Sequence, residues 1–197
     1  VTRTVLRGGR VFDGSGAETT LTDIAIESGR IAALGTGLDG DEVIDATGAL
    51  VAPGLIDAHV HAMFAGMDFA KIQSQPFSLP FYEAIGNLRR LLDSGVTTAR
   101  DAGGTDSGVF AHGSSHRELT MLVQAGMTPP QALHAATGSA AGLLELDDVG
   151  RIAVGCAADL IVLDGDAWDF TRYSGNLAMV IQGGTVRRDH RRPATRT

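Results

Sequence analysis

The chain's 197 residues are enough for one good core or two small ones. With 44% hydrophobic and 20% charged residues it is not a disordered chain, and no apolar run approaches the roughly 20 residues of a membrane span. The 16 basic and 23 acidic residues leave a charge of −7, which argues against a nucleic-acid surface and for small-molecule chemistry.

From the N terminus, short apolar runs alternate with glycine turns. Gly8-Gly9 separates Val5-Leu6 from Val11-Phe12, Ser28-Gly29 separates Ile24 and Ile26 from Ile31 and Ala33, and Thr47-Gly48 divides VIDATGALVAPG. Each reads as a hairpin, because glycine supplies the positive φ that tight turns need. The pattern then changes. LIDAHVHA reads as a strand, YEAIGNLRRLLDSG as a helix capped at Gly95, and VTTARD as a second strand. SHRELTMLVQAG repeats the helical pattern and stops at Gly126. TPPQALHAAT carries a capping box, with Thr128 as cap, Pro129 at the first helical position and Gln131 three after the cap. Strand character returns in ADLIVLD and MVIQGGTVRRD, whose Gly183-Gly184 echoes Gly8-Gly9. The last residues, RRDHRRPATRT with five arginines, read as a solvated tail.

Small hairpins need partners, so the two termini are expected to share one sheet, with an α/β segment inserted between them. Cys156 stands alone and cannot form an internal disulfide. The opening VTRTVLRGG lacks the apolar core of a secretory signal, and the expected location is the cytoplasm.

The sharpest motif is GLIDAHVHA, which sets His59 and His61 two residues apart on a strand. Period two turns both imidazoles to one face, where a single divalent ion can meet both. His116 and His134 fall on helices and are not expected as ligands. The GSG at Gly14 to Gly16 lacks the third glycine and the following helix of a nucleotide loop.

VAPGLIDAHVHA resembles the first barrel strand of the metal-dependent amidohydrolase superfamily, and TDSGVFAHG the loop after its last barrel strand. GRIAVGCAADLIVLD resembles the return into its small β-domain, and GVTTARDAGG the second-strand region of its imidazolonepropionase-like and Xaa-Pro-dipeptidase-like branch. The resemblance implies an α/β fold: a partial (β/α)8 amidohydrolase barrel over 53-156, plus a small β-sandwich domain built from 1-52 and 157-190, with 191-197 as tail. It also implies hydrolysis of amide or cyclic amide bonds around a divalent metal ion, zinc first. His59 and His61 match the first-strand ligands. Asp106 matches the last-strand aspartate, which touches the metal and moves the proton between water and leaving nitrogen. His112 follows Asp106 and reads as a substrate-binding residue or as a polar loop residue. The partner implied is a small amide or dipeptide-like substrate, with no nucleic acid or membrane and with bared strand edges favouring a homo-oligomer.

Only Ala102, Gly103 and Gly104 stand between Asp101 and Thr105. The family places five strand–helix units there, roughly 150 residues at about 30 each. This apparent deletion near 102-105 removes the family's other metal-ligating histidines and the site of its carboxylated lysine. Lys71, the lone lysine, matches no such position. A complete barrel needs about 200 residues by itself. The second reading is therefore a non-catalytic remnant that serves as an assembly or interaction module.

Overall fold

The computed structural model describes residues 2–63, 74, 76, 78–102 and 112–191. Its strands, in chain order, are β1 (Thr4–Val11), β2 (Thr20–Glu27), β3 (Arg30–Gly35), β4 (Glu42–Asp45), β5 (Leu50–Pro53), β6 (Leu55–Val60), β7 (Val96–Asp101), β8 (Leu160–Leu163), β9 (Leu177–Gln182) and β10 (Thr185–Asp189). Eight of them form one sheet in the order β10-β9-β8-β5-β1-β2-β3, with β4 on the edge of β1. Strands from both ends of the chain thus lie side by side. Parallel β6 and β7 form a separate pair.

Two of the expected hairpins are present. Ser28-Gly29 joins β2 to β3 with φ of 50° and 78°, and Gly183-Gly184 joins β9 to β10 with φ of 55° and 73°. Positive φ at both central residues matches the twist of paired strands. The other two differ. At Gly8-Gly9 the strand does not reverse; β1 runs straight through, with a bulge between Leu6 and Gly9. There β1 changes neighbour, its residues Thr4 to Arg7 lying parallel to β4 and Arg10 to Val11 parallel to β5. The turn at Thr47-Gly48 therefore connects two strands that share the edge of β1 rather than each other. The basic C-terminal stretch also departs from expectation, because Arg187 to Asp189 belong to β10 and pair with β9, while residues 192–197 lie outside the described ones.

The centre of the sheet is buried on both faces, which is why β5 and β8 are unbroken apolar runs. Leu50, Ala52, Ile161, Leu163 and Val180 look one way, and Val51, Leu160, Val162, Met179 and Ile181 the other. The second set closes a core with Leu6, Ile24, Ile26 and Ile31. The first is the wall against which the rest of the chain packs. On it lie Leu55 and Val60 of β6, Val96 of β7, Leu91 of α1 (Leu79–Asp93), Leu119 of α2 (Arg117–Gln124) and Leu133 of α3 (Pro129–His134). The capping box of α3 is made as expected, Thr128 Oγ1 accepting from Gln131 N and Gln131 Oε1 from Thr128 N.

Two glycines set how β6 and β7 hang on this wall. Gly95 ends α1 at φ 93°, and a Cβ there would lie 2.5 Å from the Tyr173 hydroxyl, which donates to Ser94 O at 3.1 Å. Gly54 N donates to Asp159 O at 2.8 Å, and any side chain at Gly54 would strike Thr97 of β7. The pair is thereby seated at its N-terminal edge, leaving its C-terminal edge to carry the histidines.

Candidate functional site

His59 and His61 stand at the C-terminal end of β6 with their Nε2 atoms 3.0 Å apart. Their ring centroids are 4.9 Å apart and the planes cross at 71°. His61 is buried at 7% exposure, while His59 faces out. Strand alternation puts both rings on one face, and the backbone beneath them is irregular. The β6–β7 register shifts between Asp57 and Val60, and His61 lies just past the strand.

A 3.0 Å separation suits either of two states. Without an ion, one ring carries an Nε2–H that donates to the bare Nε2 of the other. With an ion about 2.0–2.1 Å from each nitrogen, the nitrogens would lie about 2.9 Å apart at a right angle and about 3.3 Å apart at the tetrahedral angle. The two imidazoles therefore fit the bite of one divalent ion. They are two donors. Among the described residues, no group of three or more His, Cys, Asp or Glu is arranged to hold a metal. Asp106 lies outside the described residues, as does the greater part of the 102–105 junction.

His112 is placed elsewhere. It lines a hollow with Arg90, Asp93, Ser94, Tyr173 and Arg188, and neither His59 nor His61 contributes to that lining. Ser94 and Gly95 lead into β7 at the N-terminal edge of the pair, one strand length, roughly 20 Å, from its C-terminal edge. Beside His112, His116 stacks on Tyr173 with ring centroids 5.0 Å apart, and burial lowers its pKa. On the wall side, burial raises the Asp159 carboxyl above its ordinary range, although Gly183 N donates to it at 2.7 Å.

The backbone around the histidines is tied by residues that motif reading did not single out. Asp57 Oδ1 accepts from His59 N at 3.1 Å, and its Oδ2 accepts from Ser115 Oγ at 2.8 Å. Arg100 Nε donates to Ala58 O at 2.9 Å and Ala102 N to Val60 O at 2.8 Å. Asn87, 2% exposed in the middle of α1, donates to Ala62 O at 2.8 Å while Arg90 donates to its Oδ1 at 2.7 Å. The apolar spacing of this helix, Tyr82, Ile85 and Leu88, lies on its exposed side, so the helical pattern did not point to Asn87.

An amidohydrolase family model matches residues 83–187, and a second amidohydrolase family model residues 42–90. An adenine deaminase of Listeria monocytogenes is 44% identical over 71 residues, covering 34% of this chain and 12% of that protein. A dihydroorotase of Lactobacillus helveticus is 45% identical over 67 residues, 34% of this chain and 15% of that protein. The match thus spans less than a sixth of either relative. A crystal structure of a Xaa-Pro dipeptidase with bound methionine superposes with a TM-score of 0.81 at 14% identity, over 94% of this chain and 99% of that one, a likeness of fold.

Proposed function

Because this chain belongs to the amidohydrolase family, we propose that its site is built for metal-dependent hydrolysis of a carbon–nitrogen bond in a small amide, cyclic amide or dipeptide-like substrate. The observation that carries the reading is the 3.0 Å approach of His59 and His61 Nε2 at the C-terminal end of a parallel strand, the edge where such folds keep their chemistry. The deaminase, dihydroorotase and dipeptidase names of the matching proteins support a carbon–nitrogen substrate. The unit β6–α1–β7 is read as part of a (β/α)8 barrel over 53-156, beside a small β-sandwich from 1-52 and 157-190.

In this reading His59 and His61 hold the ion as neutral imidazoles. A divalent ion bound there, zinc first, would supply a Lewis acid for the carbonyl and lower the pKa of water toward about 7. Asp106 accepts a proton as water adds to the carbonyl carbon, then delivers it to the nitrogen as the carbon–nitrogen bond breaks. Spending Asp106 on the proton leaves two imidazoles as firm ligands, one fewer than a catalytic zinc site ordinarily has, so turnover is slow.

A second reading, an assembly or interaction module without catalysis, is favoured by one observation: among the described residues β6 and β7 form a sheet of two strands alone. The experiment is amine and ammonia release from an amide, lactam and dipeptide panel by the zinc-loaded chain, with His61→Ala and Asp106→Asn alongside. Slow turnover abolished in both variants supports hydrolysis. Tight zinc binding with no turnover of any substrate supports the module.

Among the described residues, no helix is long and apolar enough to cross a membrane. We place the chain in the cytoplasm on its lone buried Cys156.

A further inference from the structure

We infer that Asp57 is a positioning residue that turns His59 onto His61, an inference that rests on the metal-centre reading above. In a regular strand, residues two apart project to one face with their Cα atoms about 6.6 Å apart, close enough for two imidazoles to meet through their side-chain torsions. Here the Nε2 atoms meet at 3.0 Å with the ring planes at 71°. What the backbone adds is a fixed departure from the regular strand beneath His59. That departure is the register shift between Asp57 and Val60, and across it the Asp57 carboxylate takes the His59 N–H at 3.1 Å. A side-chain oxygen accepting from the backbone N–H two residues on substitutes for a strand partner and fixes a turn.

The carboxylate is itself held from its other side. Its Oδ2 accepts from Ser115 Oγ at 2.8 Å, across 58 residues of sequence, in the segment just before α2. Rotating Asp57 away therefore costs one bond or the other. Asp57 also lines a cavity of about 350 Å³ with Ser115, Glu118 and Leu119, and neither histidine lines that cavity. Its carboxylate works through the His59 backbone, from outside the space the two rings share.

The test uses the full chain with Asp57→Ala, Asp57→Asn and Ser115→Ala. Two measurements are made on each: the hydrogen bond between the imidazoles in the metal-free chain, by long-range proton–nitrogen correlation, and zinc affinity by calorimetry. Asp57→Ala should lose the inter-ring hydrogen bond and bind zinc about 10- to 100-fold more weakly, whereas Asp57→Asn, whose amide oxygen still accepts, should keep both within about threefold. If Asp57→Ala does not fold, Ser115→Ala carries the test and should show a smaller loss in the same direction. An inter-ring hydrogen bond and zinc affinity that persist in Asp57→Ala, or in a folded Ser115→Ala where that variant stands in, would overturn the inference. The metal-centre reading fails separately: zinc binding indifferent to His59→Ala and His61→Ala sinks it, while the inter-ring hydrogen bond still decides the role of Asp57.

Discussion

Gly54→Ala puts a methyl group where there is no room for one. The added Cβ would lie 2.1 Å from Thr97 Oγ1, 2.4 Å from its Cγ2 and 2.8 Å from its Cβ. Thr97 is 8% exposed and its carbonyl is held by Gln182 Nε2 at 2.8 Å, so it cannot swing into solvent. Relief requires β6 and β7 to part at their base, where Leu55 N donates to Gly95 O at 2.9 Å. Overpacking costs about 1–3 kcal/mol. A weakened backbone hydrogen bond adds about 1 kcal/mol. Urea unfolding should therefore show Gly54→Ala destabilised by about 3 kcal/mol. Thr97→Gly removes every atom of that clash, so the double variant should be more stable than the sum of the two single effects predicts, by about 2 kcal/mol. A Gly54→Ala chain within about 0.5 kcal/mol of the parent, or strictly additive variants, would refute the reasoning.

Tyr173→Phe deletes the bond to Ser94 O that anchors the end of α1 and should cost about 1 kcal/mol in the same assay. Asn87→Leu leaves the Ala62 carbonyl and the Arg90 guanidinium without their partner and should cost about 1–3 kcal/mol, with faster amide exchange at Ala62 and Met63. At Asp23, burial raises the pKa, but the backbone N–H groups of Gly8 and Leu38 outweigh it and hold it below 3.8. A lowered folded pKa gives stability that is present above the unfolded value and lost as pH falls through the folded one, so the parent's melting temperature should fall more steeply below pH 3.8 than that of Asp23→Asn. Tyr82, Ile85 and Leu88 lie three apart on α1 and are 71%, 62% and 47% exposed, so the purified chain should self-associate by light scattering, and Ile85→Lys should reduce that association.

Local chemistry was read well where it is decided locally. Ser28-Gly29, Gly183-Gly184, the Thr128 capping box and the Gly95 stop are each fixed by a few adjacent residues. Gly8-Gly9 carries the same turn signal, yet it is a bulge where β1 passes from β4 to β5, and a Cβ at Gly9 would lie 2.7 Å from Val51 Cγ2. The glycine there serves a neighbouring strand that no local window contains. The same division runs through the site. His59 and His61 announce themselves by spacing. The backbone beneath them is tied by Asp57, Ser115, Asn87 and Arg100, and the bonds from Ser115, Asn87 and Arg100 close over 58, 25 and 42 residues of sequence. His112 lines the hollow beside Ser94, a placement that its position in the sequence did not indicate.

The central claim is that His59 and His61 hold one divalent ion, and the most direct test is anomalous diffraction at the zinc edge from crystals grown with zinc. A single strong peak is expected about 2.1 Å from the Nε2 atoms of both His59 and His61. A zinc-saturated crystal whose ions lie elsewhere, with the two rings still hydrogen-bonded to each other, would contradict it.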